Sequence, residues 1–170
     1  MSYKVNIGNY FKMKRNSLMS LSLGVVGLGL LLQGCSSTGG TSGTALDGPR
    51  GKVVTAALSQ IGTRYKYGAE SPGKALDCSA LTQHAYSAAG VRIPRVSRDQ
   101  RKAATPVHPA KAQPGDLVFF RIRRGLHHVG VMVDDKRFAH ASTSKKQVRL
   151  SSINSNYWQQ RLIGAGTYLN

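Results

Sequence analysis

Hydrophobic positions change their spacing along the chain, and each change marks a different kind of element. Beyond Pro49, the residues Val53, Val54, Ala57, Leu58 and Ile61 recur at helical intervals and Gly62 closes the run. Proline is favoured at a helix start, so the spacing predicts an amphipathic helix there. A second helix is predicted from Cys78, with Leu81, Ala85, Ala88 and Ala89 as its buried stripe and Gly90 as its stop. From Val91 to Ala112 the periodicity is lost in a segment rich in Arg and Pro, which reads as a long loop with one short helical piece near Ser97 to Ala104. After the turn signal Gln113-Pro114-Gly115-Asp116 the period becomes two. Leu117 to Arg121, His128 to Val133, Arg137 to Ala141, Gln147 to Leu150 and Ile163 to Leu169 are short apolar or β-branched runs separated by Asp, Gly, Lys or Ser. Helices first and an antiparallel meander afterwards predict an α+β fold, with N-terminal helices packed on a five- to six-stranded antiparallel sheet.

The N-terminal third has a different pattern. Lys4, Lys12, Lys14 and Arg15 precede an uncharged, Leu-, Val- and Gly-dominated stretch from Asn16 to Leu32, which ends in Leu32-Gln33-Gly34-Cys35. A basic region, an apolar region and a small-residue cleavage site in that order predict a signal peptide over residues 1–34. The apolar run falls short of the ~20 residues a membrane-spanning helix needs. Leu-x-Gly-Cys resembles the bacterial lipobox, which implies cleavage before Cys35, diacylglycerol on its thiol and acylation of its new amine. Several acyl chains on one residue anchor a protein stably to a membrane. Ser36 follows, and by the sorting rule of enteric-type lipoproteins a serine there implies the outer membrane, facing the periplasm. Met13-Lys14-Arg15 makes a more usual basic region by itself, so Met13 is a second candidate start. Ser36 to Gly48 is Gly, Ser and Thr with almost nothing apolar, a flexible tether. The folded domain is expected over residues 49–170.

Charge narrows the partners. The formal net charge is +17, of which four charges precede Cys35 with no acid among them, leaving +13 for the remainder. That balance predicts anionic partners. An exported lipoprotein meets little nucleic acid, and the arginines are scattered over several loops without interleaved aromatics, so no nucleic-acid partner is expected. Peptides with free carboxylates, or anionic lipid headgroups, fit the compartment better, and part of the charge is a solvated surface. A monomer is expected.

With Cys35 accounted for by lipidation, Cys78 has no disulfide partner. An isolated cysteine in a small domain is more often an apolar packing residue. Cys78, however, opens a helix, and a thiol's pKa of ~8.5 falls at a helix N-terminus or beside a histidine. In the strand His128 to Val133, side chains alternate, so His128, Gly130 and Met132 share one face while Val129, Val131 and Val133 form the core face. His127 points the other way. His140 follows Phe138 by two positions in the next strand, placed to hydrogen-bond a catalytic imidazole and fix its tautomer. No short-spaced Cys or His pair of the structural zinc type is present, and neither metal nor cofactor is expected. Trp158 reads as a packing anchor before the last strand.

These residues resemble the NlpC-type cell-wall peptidases, a circularly rearranged papain-like family. The matching pieces are Tyr65-Lys66-Tyr67-Gly68, Leu76-Asp77-Cys78-Ser79, Ile93-Pro94-Arg95, Pro114 to Phe120, His128-Val129-Gly130-Val131 and Phe138 to Ser142, in the family's order. The resemblance implies a papain-like cysteine peptidase that cleaves peptidoglycan stem peptides, typically between γ-linked D-glutamate and diaminopimelate, through a thioester acyl-enzyme. It implies Cys78 as nucleophile, His128 as general base and acid, and His140 as the orienting third member. It also implies that Tyr65 reaches the active site as an oxyanion donor, with Ser79 and Arg95 at the oxyanion and substrate site. Ala69, Ala80 and Val96 depart from the family's pattern; the last shifts Ser97 relative to Arg95. A wall-binding lipoprotein with an idle thiol, and an amidase or acyl-transferase on the same fold, are the alternative readings. Arg121, Arg123 and Arg124 either pair with substrate carboxylates at the cleft or form a surface run.

Overall fold

Pro49 occupies the first turn of α1 (Pro49–Ser59) in the computed structural model, which describes residues 48–169. The expected signal peptide, Cys35 and the tether as far as Asp47 lie outside the described residues. The inner face of α1 is Val53, Val54 and Ala57. Leu58 and Ile61, expected on the same stripe, are instead exposed at 39% and 46%. Leu58 lies at the far margin of the apolar arc, and Ile61 follows the helix end, so neither faces inward.

Three very short strands, β1 (Arg64–Tyr65), β2 (Glu70–Ser71) and β3 (Ala75–Leu76), lead to α2 (Cys78–Ser87). Asp77 is the N-cap of α2: its backbone is extended and its carboxylate accepts from the Ala80 N–H at 2.8 Å. Such a cap answers one of the orphan donors of the first turn. Ala80, Leu81, Ala85 and Tyr86 are buried, whereas Ala88, expected in the stripe, falls beyond the last full turn and is exposed. Gly90 follows at φ +75, a left-handed conformation that suits glycine at a helix stop.

The irregular segment does hold a short helix, α3 (Ser97–Ala103), followed by β4 (Thr105–Val107) and a 3-10 turn at Pro109–Lys111. The remaining elements are β5 (Leu117–Arg123), β6 (Leu126–Met132), β7 (Arg137–Ser142), β8 (Gln147–Ser152), α4 (Asn156–Gln159) and β9 (Leu162–Thr167). They confirm the α+β class and enlarge the sheet. It has nine strands among the described residues, in the order β2-β3-β1-β8-β7-β6-β5-β9-β4. β5 to β8 form the expected antiparallel meander, but β9 returns to the free edge of β5 rather than extending beyond β8. The additional strands have two or three residues each, too few to carry an alternation signal.

The sheet is covered on both faces. Val129 and Val131 of β6 join Val53, Ala57, Ala85, Tyr86, Leu117 and Phe119 in a core beneath the helices, against which Cys78 packs. On the other face Met132, Phe120, Val118 and Phe138 form a second cluster, closed by Trp158 and Leu162. Strand alternation thus places His128 on the second face, where it is 6% exposed.

Candidate active site

Cys78 sits at the first position of α2 on the floor of a cleft of about 610 Å³. Its position is held from the preceding residue. Asp77 accepts from the N–H groups of Ala80 (2.8 Å) and Gly68 (3.1 Å), and from the hydroxyl of Ser79 (3.1 Å). Arg95 grips the same carboxylate with two nitrogens, Nη2 to Oδ2 at 2.7 Å and Nη1 to Oδ1 at 3.1 Å, and donates to Ser79 Oγ at 2.8 Å and Glu70 Oε1 at 2.8 Å. Planar two-point pairing of this kind fixes geometry as well as charge. Burial pushes the Asp77 carboxyl up, but the Arg95 hydrogen bonds, the Ala80 N–H and the guanidinium charge outweigh it and hold the group below its usual range.

The histidines come from the sheet. His128 Nε2 lies 2.9 Å from His140 Nδ1, and His140 Nε2 lies 2.9 Å from Ser151 Oγ on β8. Aromatic rings enclose the pair: Trp158 stacks on His128 at 5.6 Å and 18°, meets His140 edge-on at 5.0 Å, and Phe138 lies 5.0 Å from His140. Gly130 is part of this packing, because a Cβ there would come within 2.5 Å of the Phe138 ring and 2.8 Å of the Ala139 carbonyl oxygen. No such Cβ contact is tolerated without shifting the wall that carries His140.

The electrostatics differ from what the position of the thiol suggests. Burial pushes Cys78 up to about 11, the Asp77 carboxylate adds to the shift, and hydrogen bonds from the backbone of Val129, Ser79 and Cys78 itself only partly oppose it. The expected lowering by the helix N-terminus is thus overridden, although the residue is only half-buried. Burial likewise pushes His128 down to about 4 against the pull of Asp77, and His140 down to about 3, with the charges of His128 and Arg149 adding to it. All three shifts run in the same direction, favouring the neutral thiol and the neutral imidazoles in the resting site. Tyr65 lines the same cleft as Cys78, and its hydroxyl is raised by burial first and then by the charges of Cys78, Asp77 and Tyr67.

A scan against family models matches the NlpC/P60 family over residues 62–167. The chain belongs to the NlpC/P60 family. It is 35% identical over 136 residues to the murein DD-endopeptidase MepH of Escherichia coli, covering 73% of this chain and 50% of that protein. It is 33% identical over 117 residues to the gamma-DL-glutamyl hydrolase of Bacillus subtilis, covering 66% of this chain and 28% of that one. The chain thus spans half or less of the length of these curated relatives. Among solved structures, an NLP/P60-family lipoprotein-like protein of Staphylococcus aureus superposes with a TM-score of 0.65 at 33% identity, covering 72% of this chain and 42% of that one.

Of the residues singled out by sequence, Cys78, His128, His140, Tyr65, Ser79 and Arg95 all line one cleft of this NlpC/P60 domain. Two of them are turned inward: Ser79 is buried, and four of the contacts of the Arg95 guanidinium go to Asp77, Ser79 and Glu70. The basic hairpin is divided. Ile122, Gly125, Leu126 and His127 line the cleft, whereas Arg121, Arg123 and Arg124 are exposed and do not. Three residues with direct contacts to the site were missed: Asp77 as the hub of the α2 cap, Trp158 as the ring on His128, and Ser151 behind His140. Asp77 had a legible signal, an aspartate immediately before a helix. Trp158 lies in a four-residue helix and Ser151 in a polar strand, and neither pattern points to the cleft.

Proposed function

We propose that the chain is a lipid-anchored peptidoglycan endopeptidase that uses Cys78 as its nucleophile. The observation that carries this reading is the placement of Cys78 at the N-terminus of α2 in the same cleft as the hydrogen-bonded pair His128 and His140. The thiol proton passes to His128 Nδ1 as sulfur attacks the amide carbonyl, so the C–S bond forms without a preformed thiolate. His140 accepts from His128 Nε2–H and steadies the imidazolium that results. The oxyanion is met by the Cys78 backbone N–H and the Tyr65 hydroxyl, donors of a kind worth about 3 kcal/mol each. The C–N bond then breaks, the leaving amine takes its proton from His128, and water releases the thioester as a carboxylic acid. Arg95 and Ser79 act by holding Asp77 and thereby the first turn of α2.

In this reading residues 1–34 are a signal peptide, Cys35 carries the lipid, residues 36–48 tether the domain, and the domain works at the outer membrane facing the periplasm. The substrate is a stem peptide, cut at the γ-D-glutamyl-diaminopimelate bond. A D,L bond is supported by the 32% identity over 117 residues to a B. subtilis protein named a bifunctional muramidase/DL-endopeptidase. A second reading, the D,D bond, is favoured by the 35% identity to a murein DD-endopeptidase. Digestion of purified sacculi, with mass analysis of the fragments, tests both. Release of D,L-cleaved fragments by the wild type and none by a folded Cys78→Ala variant is expected; D,D products select the second reading. Binding to sacculi without release by either protein contradicts the enzyme and leaves a wall-binding lipoprotein.

A further inference from the structure

His140 is held from its far side as well as from His128. Across the β7–β8 pair, His140 lies opposite Arg149, and Phe138 opposite Ser151. Ser151 therefore shares a sheet face with His140, one diagonal step away, a spacing that side chains bridge. Its Oγ stands 2.9 Å from His140 Nε2, while His140 Nδ1 stands 2.9 Å from His128 Nε2. A neutral imidazole has one N–H donor and one bare acceptor nitrogen. The direction of the hydrogen bond at Ser151 consequently propagates through both rings. With Oγ as acceptor, His140 carries its proton on Nε2, offers Nδ1 to His128 Nε2–H, and leaves His128 Nδ1 bare. With Oγ as donor, both rings reverse and His128 Nδ1 already holds a proton, so it can take none from the thiol. Ser151 is half-buried, which lets its hydroxyl hydrogen turn to water and its lone pairs face the ring. Arg149, directly opposite His140, disfavours a second proton on that ring.

We infer that Ser151 is a positioning residue that fixes the tautomer of His140 and so keeps His128 Nδ1 free to accept the Cys78 proton. The kinetic consequence rests on the peptidase reading; the tautomer does not. The test uses the full chain with ring-15N-labelled histidine, as wild type, Ser151→Ala and Ser151→Thr, with the backbone amide spectrum as the check on folding. His140 in the wild type carries its proton on Nε2. Ser151→Ala converts this single tautomer to a mixture and lowers kcat on muropeptide about tenfold at unchanged KM, the size expected for one hydrogen bond, while Ser151→Thr restores both. A proton on His140 Nδ1 in the wild type overturns the inference, and that result requires no variant to fold. So does a Ser151→Ala protein whose tautomer is unchanged, whatever its kcat. If the wild type cleaves no muropeptide, the peptidase reading fails and the tautomer in wild type and variants still decides the role of Ser151.

Discussion

On one side of Cys78 the cleft is held by full charges: Arg95, 29% exposed, bridges Asp77 and Glu70, and the Asp77 carboxylate caps the helix that carries the thiol. On the other side His128 and His140 are kept neutral by burial among Phe120, Phe138 and Trp158. The difference follows from solvation. An ion pair that keeps one partner near water avoids most of the desolvation penalty and retains its geometry. An imidazole that is to take up a proton during a reaction must be unprotonated beforehand, and burial without a counter-charge favours that form. In the proposed mechanism, charge positions the nucleophile and burial keeps the base unprotonated until the thiol proton reaches it.

Removing the proposed base breaks the neutral side outright. His128→Gln is expected to lower kcat/KM for muropeptide by about a thousandfold, within the range of a positioned acid–base group, with little change in thermal stability. A variant with near wild-type turnover removes His128 from the mechanism. Breaking the charged side acts on stability first. Arg95→Ala leaves Asp77 buried beside the thiol without its partner and is expected to cost about 2–3 kcal/mol in denaturant unfolding, with Arg95→Lys recovering only part because an ammonium cannot pair at two points. Equal stability of Arg95→Ala and wild type contradicts the role assigned to the ion pair.

Acid separates the two sides. The folded-state pKa values of His128 and His140 lie below the usual 6.5, so the unfolded chain binds more protons in that window. Their contribution to stability is present above pH 6.5 and is lost as pH falls toward about 4. The contribution of Asp77, whose pKa is lowered below 3.8, is lost only at still lower pH. Thermal melts between pH 8 and 3 are expected to show stability falling from pH 6.5 downward, and His128→Gln to reduce that fall. A wild-type curve flat to pH 4 contradicts the buried neutral pair. The smallest effect is expected from Trp158→Phe, which keeps an aromatic wall but loses overlap with His128: about a three- to tenfold loss in kcat, the range for one aromatic contact.

Much of this arrangement was legible in the pattern of residues. The start of α2 at Cys78 could be read from the apolar stripe that follows it, and strand phase puts His128 rather than His127 against His140, although both histidines line the cleft. What escaped reading was whatever depends on contacts between distant segments. Arg95 lies in an irregular loop, and its capture by Asp77 and Glu70 is a property of the folded chain. β9 pairs with β5 across the sheet, and Trp158, carried on α4 just before it, arrives over His128 only through that return. The thiol departs from its local setting for a related reason: the helix start is a local feature, but the burial and the Asp77 charge that raise Cys78 come from how the surrounding segments pack.

The neutral resting pair is tested most directly by the alkylation rate of Cys78 with iodoacetamide as a function of pH, followed by peptide mass mapping so that Cys35 does not interfere. Thiolate, not thiol, reacts. With Cys78 raised to about 11 and His128 lowered to about 4, the rate should be minimal from pH 5 to 7 and climb continuously through pH 9 and above. A pH-independent plateau between pH 5 and 7 would instead reveal a thiolate–imidazolium pair at rest, and the account of a proton transferred during attack would be wrong.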